Sequence, residues 1–516
     1  MSINPVLRKE LKRSLGIRVA VFSFLTMLLA LAVFFFSKNQ LLTGMMMLLL
    51  PFPLLYLYWV FASPRIGFIS LLFANYFVIG LNRYVSFPMG LAVDGLLLLT
   101  LLAVFLSQFY QKVTWKKAVR DYTILAAIWM IMTAFQLLNP EAASRAAWFY
   151  AMRSQAFYMV LTFILVYLVF NKPKDFDLFI KLAAWFTLLA VAKGVIQKFI
   201  GVDPWEYQWL LEPGNRTTHW LAGHLRVFSF FSDAGTYGSS MAYAGVVYTV
   251  LGVHASERRK RYFYLLVALA AIYGMMISGT RSAVAVLLVG YMLYTILSKN
   301  FKTMVSMGFV LLLAFFFLKY TTIGQSNYDI RRMRSVFNKE DASLNVRLDN
   351  RRLFNEYLKD KPFGGGVGSS GNWGQRFSPH TFLAQVPTDG WYIQIWAEQG
   401  IVGLSFYLLL LFYFLVKSAF LIFFRLKKPE NRYKAVAFVS GLAGLMVSSY
   451  TASSLGQLPN TIMVVTSLAL ISLMPEWEKK EADETESDET KSGSTKNHKD
   501  KAASLSLFAK TSKWKV

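Results

Sequence analysis

The strongest constraint on this chain is the recurrence of long apolar runs. They lie near residues 19–36, 41–61, 66–81, 89–109, 122–138, 156–170, 175–200, 236–254, 261–278, 283–298, 302–319, 392–424, 433–451 and 460–474. Wound as a helix, about 18 apolar residues cross about 30 Å of hydrocarbon. The length alone would allow several soluble domains. With 55% hydrophobic and 16% charged residues, a soluble form would expose too much apolar surface to stay dispersed. The sequence therefore predicts an all-α, polytopic transmembrane helical bundle of about 12–14 spans.

Charge orients the bundle. The chain carries a net charge of +25. Its basic clusters fall in alternate short loops: QKVTWKKAVRD (111–121), NKPKD (171–175), HASERRKR (254–261), SKNFK (298–302) and RLKKPENRYK (425–434). The opposite short loops, such as SKNQ (37–40) and SGTRS (278–282), are poorer in cations. That alternation is the positive-inside pattern, with the N-terminus cytoplasmic, and it explains the charge without nucleic acid binding. Residues 1–18 are basic and precede a span, but no small-residue cleavage site follows, so they read as a retained cytoplasmic start. The membrane domain runs over 19–475. From 476 to 516 the chain turns polar and charged, which predicts a disordered cytoplasmic tail. Two long loops, 201–235 and 320–390, fall outside the cytoplasm, and loops of that size usually have a task.

Several chemistries are excluded. With no cysteine there is no disulfide, no thiolate metal site and no Cys nucleophile. His219, His224, His254, His380 and His498 are too scattered to predict a metal cluster.

The large loop is rich in arginine: Arg331, Arg332, Arg334, Arg347, Arg351 and Arg352, with Lys339. LNVRLDNRRLFNEYLKDKPF predicts an amphipathic helix over about 344–359, with Leu344, Leu348, Leu353, Tyr357 and Leu358 as its apolar contacts. Its arginines can be solvated at the membrane surface or can form a platform for phosphate, which the planar guanidinium grips in pairs. GGGVGSSG (364–371) follows. It can aim N–H groups at an anion, but it lacks the Lys-Ser/Thr ending of a nucleotide P-loop. A turn permitting close backbone approach is the simpler reading. Arg226 and Arg281 stand at outer edges of spans, where an unused cation is costly. Asp389 begins the polar start of a long span and can cap that helix while also acting on a substrate. Glu398 lies nine residues further on and does not pair with it on one helix.

In this order, RVFSFFSDAGTYGSS, SGTRSAVAVLLVG, VRLDNRRLFNEYLKDKPFGGGVGSS and TDGWYIQIWAEQGIVGL resemble the bacterial O-antigen ligase and O-antigen polymerase family. The resemblance covers about residues 200 to 420; earlier residues match only as apolar spans. It implies a GT-C-like fold and an inverting, metal-independent glycosyl transfer without a cofactor. The donor would be a glycan on undecaprenyl pyrophosphate, and the acceptor a sugar hydroxyl of a glycolipid or of another lipid-linked glycan. Such an enzyme would sit in the bacterial inner membrane and serve lipopolysaccharide, capsule or exopolysaccharide synthesis. Arg281 and Asp389 would be catalytic, and Arg226, Arg347, Arg351, His224 and His380 would bind substrate. Ligases of this family usually show His-Asn where Asp389-Gly390 stands here. Asp389, His380 and His224 are therefore all candidates for the general base.

Two other classes compete. A transporter or flippase for a lipid-linked glycan should place ionisable sites at mid-membrane, often in repeated halves. The spans are nearly free of charge at mid-depth and no repeat is visible. A scaffold would not need arginines at three separate outer edges.

Overall fold

The computed structural model describes residues 5–85, 89–212, 215–221, 223–337 and 342–511. Lys339 lies outside them, as does the side chain of Leu344. Each apolar run is helical to within a few residues; the run 41–61 is split into two helices, and the first and last helices extend well beyond their runs. Among the described residues, 9 helices are long and apolar enough to cross a membrane, and Phe22–Ser37, Ser282–Ser298 and Met304–Tyr320 are shorter apolar helices. The only strands among these residues are Trp220–Leu221 and His224–Leu225, paired antiparallel. The protein is a polytopic all-α membrane protein.

The chain divides into two compact units, Met1–Ile69 with Leu98–Val113, and Ser70–Leu97 with Thr114–Val516. The first contains the helices Pro5–Ser37, Leu41–Leu49 and Pro51–Ala62, whose large apolar side chains are mostly exposed. Such surfaces suit lipid. Everything described below belongs to the second unit.

Small residues bring its helices close. Most of Ala234–His254 is buried, and it is rich in Gly, Ala and Ser. A Cβ on Gly238 would lie 2.3 Å from Ser278 Oγ, so this helix touches the end of its neighbour Arg258–Ile277 almost backbone to side chain. Gly444 approaches Val286 in the same way, drawing Pro429–Ser448 against Ser282–Ser298. In lipid, contact of this kind replaces the hydrophobic drive for association. It also fixes the turns at the helix ends.

The helix expected over 344–359 forms at Ala342–Tyr357. Tyr357 and Leu358 pack as expected, but Phe354 takes the place of Leu348 and Leu353. Phe354 and Leu358 are buried with Leu383, Ile393 and Ala397, and Tyr357 stacks on Phe382 at 4.6 Å. Leu348 and Leu353 are exposed. The i,i+4 pair Phe354 and Leu358 meets the start of the helix Trp391–Phe420, and that contact sets the phase.

The glycine-rich stretch packs against that same helix. Gly365 N–H donates to Ala397 O and Gly366 N–H to Glu398 O, both at 2.9 Å. Glu398 is fully buried and accepts from Ser370 Oγ at 2.7 Å and from Gln155. Here glycine serves close backbone approach.

At the other end of the chain the helix Asn460–Thr511 continues into the stretch expected to be disordered. Its first polar turns have partners. Arg120 pairs with Glu476 at 2.6 Å, Trp477 Nε1 donates to Asn171 O at 2.9 Å, and Glu478 accepts from the N–H groups of Lys427 and Lys428.

Candidate functional site

Several interhelical turns reach the same end of the bundle. One is the segment before Ala234–His254. Others are the turn 278–281, the chain entering Trp391–Phe420, and the turn between Pro429–Ser448 and Asn460–Thr511. The loop helices Tyr328–Arg334 and Ala342–Tyr357 add Arg332 and Arg347. Together they line an open cavity of about 770 Å³. Its lining includes Arg226, Arg281, Arg332 and Arg347, and the carboxylates Asp233 and Asp389. Cations outnumber carboxylates, so the space favours an anion.

Arg226 is tied down at three points. Its N–H donates to His219 O at 2.8 Å, Nη1 to Thr218 O at 3.1 Å and Nη2 to Thr280 Oγ1 at 3.2 Å. Its Nε is buried with no hydrogen-bond partner among the described residues. Burial, with Arg332 and Arg281 nearby, holds its pKa below the usual guanidinium range, while Asp233 and Tyr328 oppose that shift. An anion beside it would favour the charged form and offset the repulsion from Arg332 and Arg281.

Arg281 follows the turn Ser278–Thr280 and occupies the N-cap position of Ser282–Ser298. Thr280 Oγ1 donates to Ala234 O at 2.7 Å, which joins this turn to the start of the neighbouring helix. Arg332 Nε donates to Gly279 O at 3.4 Å. Its helix is docked by its first residues: Tyr328 stacks on His224 at 4.0 Å, and Asp329 pairs with Lys198 at 2.8 Å.

Asp389 does not cap its helix. Gly390 holds that position with no side-chain cap, and Asp389 Oδ2 instead accepts from Asn350 Nδ2 at 3.2 Å. Trp391 N–H donates to Ser449 O at 2.9 Å, pinning the entry to the neighbouring turn. Asp233 is the N-cap of Ala234–His254, accepting from Thr236 N–H at 2.8 Å. Gln457 Oε1 accepts from Thr236 Oγ1 at 2.8 Å and from Ser232.

Of the residues singled out in the sequence, Arg226, Arg281, Arg347 and Asp389 therefore converge. Arg351, His224 and His380 are not among the lining residues. Arg351 donates to Tyr450 OH and lies over that ring at 4.0 Å, His224 stacks on Tyr328, and His380 is exposed. Sequence reasoning passed over Asp233, Gln457 and the separate place of Arg332. Asp233 had a visible signal, as Asp at the foot of a small-residue helix reads as a cap.

A family model described as O-antigen ligase matches residues 238–408. Over these residues the chain is similar to the O-antigen ligase family. The match begins inside Ala234–His254 and ends inside Trp391–Phe420, so it contains Arg281, Arg332, Arg347 and Asp389. Arg226, Asp233 and Gln457 lie outside it. No curated protein matches the chain. The match marks an O-antigen ligase- or polymerase-like membrane enzyme.

Proposed function

We propose that this O-antigen ligase-like protein transfers or polymerises glycan from undecaprenyl pyrophosphate onto an acceptor sugar hydroxyl, at the extracytoplasmic face of the bacterial inner membrane. The observation that carries this reading is the shared cavity of Arg226, Arg281, Arg332, Arg347 and Asp389. The basic stretch Arg258–Arg261 lies at the opposite end of the helices whose other ends build that cavity. The positive-inside rule then turns the cavity outward.

In the proposed reaction the acceptor oxygen attacks the anomeric carbon and its proton passes to the Asp389 carboxylate. The bond from that carbon to the pyrophosphate oxygen breaks as the new glycosidic bond forms. A single displacement inverts the anomeric centre. Charge builds on the departing lipid pyrophosphate, and the fixed arginines stabilise it. Guanidinium groups can do this work without a metal. Asp389 is preferred to His224 and His380 as base because it lines the cavity and they do not.

The test supplies purified protein with lipid-pyrophosphate glycan and an acceptor, without nucleotide or metal. Transfer is expected, and Arg281→Ala and Arg347→Ala should abolish most of it. Full activity in both variants would sink the site; flipping of the lipid without transfer would favour a transporter.

A further inference from the structure

Two residues of the cavity, Arg226 and Asp233, are joined by the irregular segment Val227–Ser232. That segment has neither helix nor ladder to hold its backbone, and Ser229 sits at φ 51, a left-handed conformation. Such a geometry persists only where the surroundings impose it. Here they do so from outside the segment. Arg83 Nη1 donates to Ser229 O at 2.6 Å and Nη2 to Phe231 O. From the other side Gln197 Oε1 accepts the N–H of Ser229 at 2.7 Å and of Phe228 at 3.3 Å. Ser229 Oγ donates to Ala190 O at 2.7 Å. Gln197 is oriented in turn by Glu206, which accepts from its Nε2 at 2.7 Å.

Arg83 is not placed to meet a substrate. Its guanidinium lies 4.3 Å from the Trp209 ring centroid and 4.4 Å from that of Phe228, and it is not among the cavity-lining residues. Burial pushes its pKa down to about 10, opposed by Glu206, Tyr84, Asp233 and Asp203. A half-buried cation that donates to two main-chain carbonyls fixes a backbone path.

We infer that Arg83 is a positioning residue: by gripping Ser229 and Phe231 it sets Arg226 and Asp233 at the cavity, from a part of the chain outside the matched residues. This rests on the proposed pyrophosphate site. Lysine keeps the charge but has no planar fork, so it cannot hold both carbonyls in the same way.

The experiment measures binding of inorganic pyrophosphate, glycan transfer and hydrogen exchange in the wild type, Arg83→Lys, Gln197→Ala, Arg226→Ala and the Arg83→Lys/Arg226→Ala double variant. Misplacement by about 1 Å can cost on the order of 100-fold, so Arg83→Lys should weaken both binding and transfer by about 10- to 100-fold. Exchange should rise at residues 228–236 and stay unchanged in 460–474. The double variant should bind no more weakly than Arg226→Ala alone, because the two changes act through one group. Wild-type affinity with unchanged exchange in Arg83→Lys overturns the inference, and so does full additivity. If Arg83→Lys does not fold, Gln197→Ala releases the same segment from its other side and carries the same expectations. Wild-type pyrophosphate binding by Arg226→Ala would instead overturn the pyrophosphate site itself, and the inference with it.

Discussion

Arg226 and Arg332 close on one small spot: a Cβ on Gly279 would lie 3.7 Å from the Cγ of each. Two guanidinium-bearing side chains held so near repel, and Arg281 adds to the burden on Arg226. A bound anion would offset that repulsion. Inorganic pyrophosphate should raise the thermal midpoint of the detergent-solubilised protein. Ligand at a hundred times its Kd stabilises by about 2.7 kcal/mol, enough for a clear shift. Arg281→Ala should remove most of that shift, and a shift of equal size in the variant would place the anion elsewhere.

Asp389 is held by Asn350 and faces the same cavity. As general base it should be worth about 10²- to 10⁴-fold in turnover. Asp389→Asn is expected to lose that factor while keeping pyrophosphate affinity, since the arginines remain. Asn350→Ala should cost less, because it frees the carboxylate without removing it. Turnover and affinity measured side by side separate this role from a general loss of folding.

His219 gives the site region an acid limit. The ring is buried, with centroids 5.1 Å from both Trp209 and Phe228. Its Nδ1 donates to Asn215 O at 2.8 Å, and Nε2 has no hydrogen-bond partner among the described residues. Burial is the main cause that holds its pKa below the ordinary value, and Arg226 and Arg83 act in the same direction. An unfolded histidine takes its proton near pH ~6.5, so just below that pH the unfolded state binds more protons. Stability should then fall as pH drops from about 6.5 through the depressed folded pKa. Thermal midpoints across that window should decline in the wild type and decline less in His219→Phe.

Much of this arrangement is legible in the sequence because the physics is local. An arginine or aspartate at a boundary between polar and apolar residues must sit near a membrane surface, which places Arg226, Arg281 and Asp389 at span ends. What is missing depends on which ends are neighbours. Arg332 is one of several arginines in its loop, and it reaches Gly279 because Tyr328 and Asp329 dock its helix on His224 and Lys198. Arg351 shares a helix with Arg347, yet Tyr450 from another turn claims it. Gln457 meets Thr236 across 221 residues of chain, a pairing that no periodicity encodes. Phe354, not Leu353, anchors its helix because Ile393 and Ala397 lie beneath it.

The glycine-rich stretch offers a final discrimination between packing and anion binding. Gly364 has φ 72, and a Cβ there would lie 2.4 Å from Gly400 N. Gly400, where the helix Trp391–Phe420 kinks, has φ 65, and its Cβ would lie 2.0 Å from Pro362 O. Neither backbone can move away easily, since Gly365, Gly366 and Val402 N–H groups all bridge the two segments. A left-handed alanine alone costs about 1–3 kcal/mol, and these contacts add to it. Gly364→Ala and Gly400→Ala should each lower the yield of folded protein and the thermal midpoint markedly. Gly308→Ala, where a Cβ meets nothing within 4 Å, should not. Whatever folds in the first two variants should still bind pyrophosphate. A stretch that cradled the anion through its N–H groups would give the reverse, with folding kept and affinity lost.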